Sequence, residues 1–335
     1  MNIKFGIIGA GMIGSDHATR INKSLNGGIV TAVNDINLES AKRLVAELGT
    51  AQVFEDPYDL IRSPEVDAIL VCSIGSTHEK FVLASVAAGK YVFCEKPLAT
   101  SASACKNIVD AEMNFGKRLV QVGFMRRYDS GYQKLKKVIE NSEIGDVLMI
   151  HCAHRNPTVP ESYVTEMAVS DSLVHEIDVI RWLLKEDYVT AQMIFAKKTK
   201  RSHGNLHDPQ ILLLETRSGI RIDVEMFVNC QYGYDIQCEL VGSDGIAKLP
   251  EPESLVVRKD EKKFTSIDTD WKKRFIKAYD IELQEFIDGI VGNKIQGPSS
   301  WDGYVAAIAC DICIKAQKTK AIEPFSIEET PKFYR

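Results

Sequence analysis

The first 122 residues alternate between two spacings of hydrophobic positions. Short apolar, β-branched runs are typical of buried strands, and between them apolar residues recur every three or four positions, as in amphipathic helices. Predicted strands cover 3–8, 29–35, 66–72, 91–94 and 118–122, and predicted helices cover 13–25, 38–48, 79–88 and 104–115. Such alternation with short connections predicts a parallel sheet covered by helices on both faces, a doubly wound α/β domain.

The pattern changes after residue 122. Helical spacing occurs near 133–140, 170–184, 274–291 and 303–315. Strand-like runs cover 147–154, 189–196, 210–216, 220–228, 236–241 and 254–257. Turn signals such as Ser218-Gly219 separate some of these runs, which indicates antiparallel or mixed pairing. We therefore predict a Rossmann-type domain over 1–122, followed over 123–335 by an α+β domain with one large, mostly antiparallel or mixed sheet.

Composition excludes several classes of protein. The chain has 335 residues, enough for about two domains, and a formal net charge of −5, so no overall basic field attracts nucleic acid or an anionic membrane. Its apolar runs are shorter than the ~20 residues that span a bilayer. Eight cysteines in a chain of this length do not suggest a disulfide framework, and the first residues lack a signal peptide's apolar core. We expect a reduced, cytoplasmic protein.

A glycine-rich turn joins the first predicted strand to the first predicted helix. Gly9-Ala10-Gly11-Met12-Ile13-Gly14 matches G-x-G-x-x-G, in which the first glycine allows the tight turn, the second lets a pyrophosphate approach and the third lets helix and strand pack. Asp35 ends the second strand, where a carboxylate can bind ribose hydroxyls. Because Asp35 would repel a 2′-phosphate and Ile36 supplies no cation, we predict NAD rather than NADP. The alternative is a plain glycine turn beside a surface aspartate.

Three further side chains suit proton transfer and the stabilisation of negative charge beside a bound cofactor. Asp171 and His175 are four residues apart on a predicted helix, so the carboxylate can orient the imidazole, which titrates near working pH and can accept a proton. Lys96 follows a strand, at the edge where α/β domains bind ligands, and can stabilise a developing alkoxide. The alternatives are that His175 only caps or packs on its helix and that Lys96 is a solvated lysine held extended by Pro97.

The segment Glu95-Lys96-Pro97, together with the glycine motif, resembles the Gfo/Idh/MocA family of pyridine-nucleotide oxidoreductases. Four further motifs, at 122–129, 151–157, 173–178 and 232–235, resemble the inositol-oxidising branch of that family. This resemblance spans essentially the whole chain and implies NAD-dependent oxidation of myo-inositol at C2 to the 2-keto product, with release of NADH, in inositol catabolism. A scyllo-inositol or aldose dehydrogenase of the same family remains open, as does a non-catalytic NAD-sensing regulator.

The resemblance also implies roles for individual residues. It makes His175 the acid/base, Asp171 its partner and Lys96 the group that polarises the reacting oxygen. Together with the glycine motif, the expected cofactor contacts are Gly9, Ala10, Gly11, Met12, Ile13, Asp35, Ile36, Ser73, Ile74, Gly75, His78, Glu95, Lys96 and Arg126. The expected substrate contacts are Lys96, Met125, Arg126, His154, Asn156, Asp171, His175 and Tyr234.

Some of these residues have simpler interpretations. His78 can equally cap the following helix, His154 in a strand is more often a core histidine, and Tyr234 more often packs on a sheet. Similar family members are tetramers built through the second domain's sheet, so we expect a homotetramer.

A zinc dehydrogenase is the alternative chemistry, because Cys94, His154, Asp171 and His175 are all metal-ligating residue types. No tight metal spacing joins them, and residues 175–178 lack the second histidine of His-Glu-x-x-His, so we expect no metal. Cys310 and Cys313 form a C-x-x-C pair in a helical, Ala/Ile-rich stretch, where we expect buried packing.

Overall fold

The structure, a computed structural model, describes residues 2–252 and 254–335. It divides into two compact units, each built from separate stretches of the chain. The first contains the N-terminal stretch through Met125 together with 279–308 and 328–335, and the second contains 126–278 and 309–327. The division into a cofactor-binding domain over 1–122 and a substrate-binding domain over 123–335 remains a prediction. The compact units do not follow that division, because each contains stretches from both sides of residue 122 or from separate parts of the chain.

The sheet of the first unit is parallel and doubly wound. Its strands are β1 (Ile3–Ile8), β2 (Gly28–Asn34), β3 (Gln52–Val53), β4 (Ala68–Val71), β5 (Tyr91–Glu95) and β6 (Val120–Gly123). The helices between them are α1 (Met12–Lys23), α2 (Leu38–Leu48), α3 (Pro57–Arg62), α4 (His78–Ala87) and α5 (Ala102–Phe115). The strand order β3-β2-β1-β4-β5-β6 confirms the predicted fold class. Both β3 and α3 are absent from the prediction because they are too short to show a period.

Capping residues explain where the helices of this unit begin and end. The Ser101 side chain accepts a hydrogen bond from the backbone N–H of Ala104 at the start of α5, and Gly116 ends that helix in the left-handed region with φ +80°. Asn37 caps α2 in the same way. Beneath the helices, Phe5 and Phe93 are fully buried in the core. Burial of each large apolar side chain contributes about 1.5–3 kcal/mol.

The second unit contains one large mixed sheet, as predicted. Its strands are β7 (Val147–Arg155), β8 (Tyr188–Phe195), β9 (Gln210–Thr216), β10 (Arg221–Phe227), β11 (Asp235–Gly242), β12 (Ile246–Lys248) and β15 (Glu323–Pro324), in the order β12-β11-β7-β10-β9-β8-β15. Strands β7 and β10 pair in parallel, and the other neighbours pair antiparallel. A separate hairpin joins β13 (Val256–Lys259) and β14 (Lys262–Thr265).

Four more α-helices complete the described residues. They are α6 (Ser130–Glu140), α7 (Val174–Leu184), α8 (Trp271–Val291) and α9 (Ser300–Thr319). The compact units divide α8 after residue 278 and α9 after residue 308. Over the residues that the structure describes, none of the helices is long and apolar enough to cross a membrane.

The helix predicted over 170–184 differs from the one observed. Residues Ala168–Leu173 form a π-helix, and the α-helix α7 begins only at Val174. Asp171 therefore lies in the wider π segment, whereas His175 lies in the first turn of α7. The sequence could not reveal the π-helix, because one extra residue in a turn leaves the spacing of apolar residues nearly unchanged. Single π turns often occur at functional sites.

Candidate active site

The three glycines of the turn between β1 and α1 have different structural roles. Gly9 has φ +103°, and a Cβ there would lie 2.6 Å from the backbone of Cys72. A Cβ on Gly14 would lie 1.9 Å from the carbonyl oxygen of Gly9, whereas a Cβ on Gly11 would meet no atom within 4 Å. Gly9 and Gly14 are thus required by the fold, and Gly11 leaves open space above the helix start, where a phosphate can approach backbone N–H groups.

A cleft of about 490 Å³ lies beside this turn. Six of the expected cofactor contacts line this cleft: Gly9, Gly11, Asp35, Ile36, Ser73 and Ile74. Asp35 Oδ2 accepts a hydrogen bond of 2.6 Å from Ala10 N–H, and Oδ1 accepts one of 2.7 Å from Asn37 N–H. Glu55, Lys80 and Phe81 also line the cleft, although no motif in the sequence pointed to them. Two carboxylates against one ammonium leave the lining negative, which suits an adenosine ribose better than a 2′-phosphate.

His78 lies behind the segment 73–75 rather than in the cleft. Its side chain is buried, with Nδ1 2.7 Å from the carbonyl oxygen of Pro97 and Nε2 2.9 Å from that of Ser73. The imidazole therefore braces two loops that follow β4 and β5. Its expected contact with the cofactor remains a prediction.

Glu95 and Lys96 lie at the carboxyl end of β5. Glu95 is buried; its Oε1 lies 2.7 Å from Nε2 of His17, and its Oε2 accepts a hydrogen bond of 3.1 Å from the backbone N–H of Lys96. Lys96 is itself half-buried. The carboxyl edge of a parallel sheet is where open α/β domains bind ligands, so Lys96 is placed where its ammonium can act on one.

In the second unit, a buried ion pair joins two of the resemblance motifs. Arg126 donates a hydrogen bond to Glu176, and both side chains are 1% exposed. His154, on β7, places its Nδ1 2.9 Å from Oε2 of Glu176 and 3.2 Å from Nη2 of Arg126. Although burial disfavours either charge, Arg126 and His154 hold the pKa of Glu176 below its ordinary value, and Glu176 raises that of Arg126.

A second ion pair joins the same two segments, between the residue after Arg126 and the residue two positions after Glu176. Arg127 donates from Nε to Oδ2 of Asp178 at 2.9 Å and from Nη2 to Oδ1 at 2.5 Å. Fork-shaped pairing of this kind fixes orientation as well as charge. The two ion pairs therefore fasten the 125–128 turn to α7, the helix that carries His175.

The other expected substrate contacts lie close to this network or on the elements that support it. His175 is 9% exposed, and its ring centroid lies 6.5 Å from that of His154. The ring of Tyr234 stands perpendicular to His154 at 6.0 Å, and burial raises the pKa of its hydroxyl while Arg126 opposes the shift. Asn156 follows β7 and is half-buried; Met125 is buried and Asp171 exposed. Their direct roles remain predictions.

The sequence did not single out Glu176, although it binds both Arg126 and His154. One pattern in the sequence could have indicated this role. Residues 175–178 contain two acidic side chains in a mostly apolar helix, and residues 126–127 offer two arginines as partners of opposite charge. Among the described residues, no three His, Cys, Asp or Glu side chains group closely enough to hold a metal ion. Cys310 and Cys313 are buried on α9.

Two family descriptions together cover most of the chain. Residues 3–124 match the oxidoreductase family with an NAD-binding Rossmann fold, and residues 136–325 match the C-terminal α/β domain of the same Gfo/Idh/MocA family. The chain belongs to the Gfo/Idh/MocA oxidoreductase family. The fold class and the NAD cofactor expected from the sequence are thereby confirmed.

Individual members of the Gfo/Idh/MocA family resemble the chain over its whole length. It is 56% identical to the inositol 2-dehydrogenase of Pseudomonas savastanoi pv. phaseolicola, with all of both chains covered. It is 57% identical to that of Azotobacter vinelandii, covering all of this chain and 99% of the relative.

Solved structures within the family resemble it to different degrees. Myo-inositol dehydrogenase from Lactobacillus casei, in complex with NAD(H) and myo-inositol, has a TM-score of 0.98 and 39% identity over all of both chains. Scyllo-inositol dehydrogenase from the same organism, with NAD(H) and scyllo-inositol, has a TM-score of 0.88 and 25% identity over 97% of this chain and 99% of that one.

Proposed function

We propose that this protein oxidises the C2 hydroxyl of myo-inositol to the ketone with NAD and releases 2-keto-myo-inositol and NADH, as in inositol catabolism. The observation that carries this proposal is the likeness, over all of both chains at a TM-score of 0.98, to a myo-inositol dehydrogenase. The chain is also 56% identical over its whole length to an inositol 2-dehydrogenase, whereas it is 25% identical to the scyllo-inositol enzyme.

The first unit has the features that NAD requires. The open space above Gly11 suits a pyrophosphate, and the Asp35 carboxylate suits the adenosine ribose. When bound, NAD accepts a hydride at C4 of its nicotinamide. We assign cofactor binding to residues 1–122, with Glu95 and His78 holding the loops that follow β5 and β4, and substrate binding with subunit contacts to 123–335.

Three side chains carry the proposed chemistry. Oxidation breaks the O–H and C–H bonds of the alcohol and forms the C=O bond, so a base is needed for the proton. His175 accepts that proton, and Asp171 stabilises the imidazolium that forms. The ammonium of Lys96 donates a hydrogen bond to the reacting oxygen and stabilises its developing negative charge.

The remaining contacts of the proposal suit a neutral, hydroxyl-rich ring. Asn156 and Tyr234 are half-buried and supply an amide and a hydroxyl. Arg126 and His154 are almost fully buried and are both held by Glu176. Met125 is also buried, and we assign all three to the substrate contacts.

NADH formation from NAD, measured with myo-inositol, scyllo-inositol and D-glucose, tests the function. We expect the highest kcat/KM with myo-inositol. A preference for another substrate would reassign the protein within its family, and NAD binding without any turnover would make it an NAD-sensing regulator. We expect His175→Ala to lower kcat by about 10²–10⁴-fold while the Kd for NADH changes little; a large loss of NADH affinity would contradict the role of His175.

We further propose a cytoplasmic homotetramer. The second unit's sheet presents polar and apolar side chains on one exposed face, including Met149 and the His151–Asp223 pair. Closed symmetric assemblies through such faces are common. Light scattering at micromolar concentration tests the subunit number, and a monomeric mass would contradict it.

A further inference from the structure

A histidine that the proposed chemistry does not use is completely buried in the first unit. His17 lies in the second turn of α1, the helix that begins at the glycine motif, and its side chain is 0% exposed. Its Nε2 lies 2.7 Å from Oε1 of Glu95, and its ring packs against Phe93 and Tyr279 at centroid distances of 5.8 and 5.3 Å. A polar ring in such surroundings needs partners for both nitrogens.

The partners of His17 define its tautomer. Nδ1 lies 3.3 Å from Nη1 of Arg20, and because a guanidinium can only donate, Nδ1 must accept. Nε2 therefore carries the hydrogen and donates it to Glu95. Arg20 is in turn held by Asp16 at 2.7 Å and by Asp280 at 2.6 Å.

Glu95 fits its position because the facing residue has no side chain. Glu95 pairs with Gly123 across β5 and β6, and a Cβ on Gly123 would lie 3.1 Å from both Cδ and Oε2 of Glu95. Oε2 accepts the backbone N–H of Lys96. One carboxylate thus connects the imidazole of α1 with the main chain of the lysine at the end of β5.

We propose that His17 is a positioning residue that acts through Glu95 on Lys96. The imidazole of His17 fixes the Glu95 carboxylate, which holds the Lys96 main chain, so the ammonium is presented in one orientation. Without the imidazole, the buried carboxylate lacks that hydrogen-bond donor and no longer has one fixed position. The inference rests on the role of Lys96 in the proposed function.

Two substitutions separate positioning from bulk stability. His17→Gln keeps an N–H donor near the place of Nε2, whereas His17→Leu removes it. For His17→Leu we expect kcat with myo-inositol to fall about 10- to 100-fold, as for a small misplacement of a reacting group, with nearly unchanged KM and Kd for NADH. His17→Gln should recover most of kcat, because its N–H can still hold the Glu95 carboxylate.

Controls use the same helix and the same carboxylate. Asn22 on α1 binds Thr50 and the N–H of Val30, so Asn22→Leu should lower stability without lowering kcat. The double variant His17→Leu/Glu95→Gln should lose no more kcat than the less active of its two single variants, since both changes break the same connection to Lys96. Equal losses of kcat in His17→Leu and His17→Gln would overturn the proposal.

Failure of the proposed function gives a different result. If the wild type oxidises no inositol, the function is wrong, and the His17–Glu95 pairing is then judged from urea unfolding of His17→Leu, Glu95→Gln and the double variant. Non-additive losses of stability support the pairing, and additive losses overturn it.

Discussion

Oδ2 of Asp35 accepts a hydrogen bond of 2.6 Å from the backbone N–H of Ala10. The carboxylate that lines the cofactor cleft therefore also braces the glycine turn that it faces. Its second oxygen accepts the N–H of Asn37 at the start of α2. The same side chain is expected to repel the 2′-phosphate of NADP and also holds two loops in place. Experiments must therefore separate these two roles.

We expect Asp35→Ser to weaken NAD binding as well as to relieve the repulsion of NADP. Loss of a hydrogen bond to a charged acceptor costs about 1.5–3 kcal/mol, so the Kd for NAD should rise roughly 10- to 100-fold. Asp35→Asn keeps an acceptor and removes the charge, and should hold NAD more tightly than Asp35→Ser does. Fluorescence titration with NADH and NADPH measures both effects; equal affinities for the two variants would show that the brace has no role.

Substitution of Gly11 should lower the affinity for NADH, whereas substitution of Gly14 should lower the stability of the fold. Gly11 has φ −71° and open space around its Cβ direction, so Gly11→Ala should change the free energy of unfolding by less than about 1 kcal/mol. The added methyl group projects into the space that a pyrophosphate needs, and we expect NADH affinity to fall at least about tenfold, or roughly 1.4 kcal/mol.

Gly14→Ala is the matched comparison, because its Cβ would lie 1.9 Å from the Gly9 carbonyl oxygen. Thermal unfolding should show it to be clearly destabilised. An unfolding temperature close to the wild-type value would contradict the packing role of Gly14.

Removing one partner of the buried Arg126–Glu176 pair should lower the unfolding free energy more than replacing both partners with apolar residues. Glu176→Gln leaves the guanidinium without a counter-charge, and we expect a loss of about 3–5 kcal/mol in unfolding free energy. Arg126→Met/Glu176→Leu removes both charges and should recover much of that stability. Urea unfolding checks the stability, and kcat for myo-inositol should stay low in the double variant, because it removes both partners of His154.

Lys136 gives a prediction about pH. It donates hydrogen bonds to the carbonyl oxygens of Trp182 and Leu183 at the end of α7, and burial, together with the charge of Lys185, lowers its pKa from 10.5 to about 8. Between pH 8 and 10.5 the unfolded chain holds a proton that the folded chain has lost, so stability rises with pH through that window.

The test compares the wild type with Lys136→Met. The stability difference, wild type minus variant, should increase by about 1–2 kcal/mol from pH 8 to pH 10.5. Other groups that titrate in this range largely cancel in the difference. A constant or falling difference would contradict the lowered pKa of Lys136.

Much of the fold followed from the spacing of apolar residues, because its longer elements run through two or more periods. The helix at 38–48 has the bounds of α2, and the strand at 210–216 has those of β9. Elements of two to six residues, such as β3 and α3, have too few positions to show a period. The π turn at Ala168–Leu173 was also hidden, because its apolar spacing imitates an α-helix.

Site residues that act through neighbours were the hardest to find. Asp35 and Lys96 stand at strand ends, where sequence position alone indicates function. Glu176 and His17 are buried and become informative only when their partners, Arg126 and Glu95, are brought near them by the fold. Pairs that are 50 or 78 residues apart in the chain leave no local pattern.

The discontinuity of the first unit has a consequence for biogenesis. Phe286 of α8 packs against Phe5 and Phe93, and Tyr334 near the end of the chain donates a hydrogen bond of 2.9 Å to the buried Glu112. These segments are translated after 126–278, so the nucleotide-binding unit cannot be completed while the ribosome is still making the second one. A nascent chain of 122 residues has its strands but lacks part of its core, and it must stay protected from aggregation until the final helices emerge.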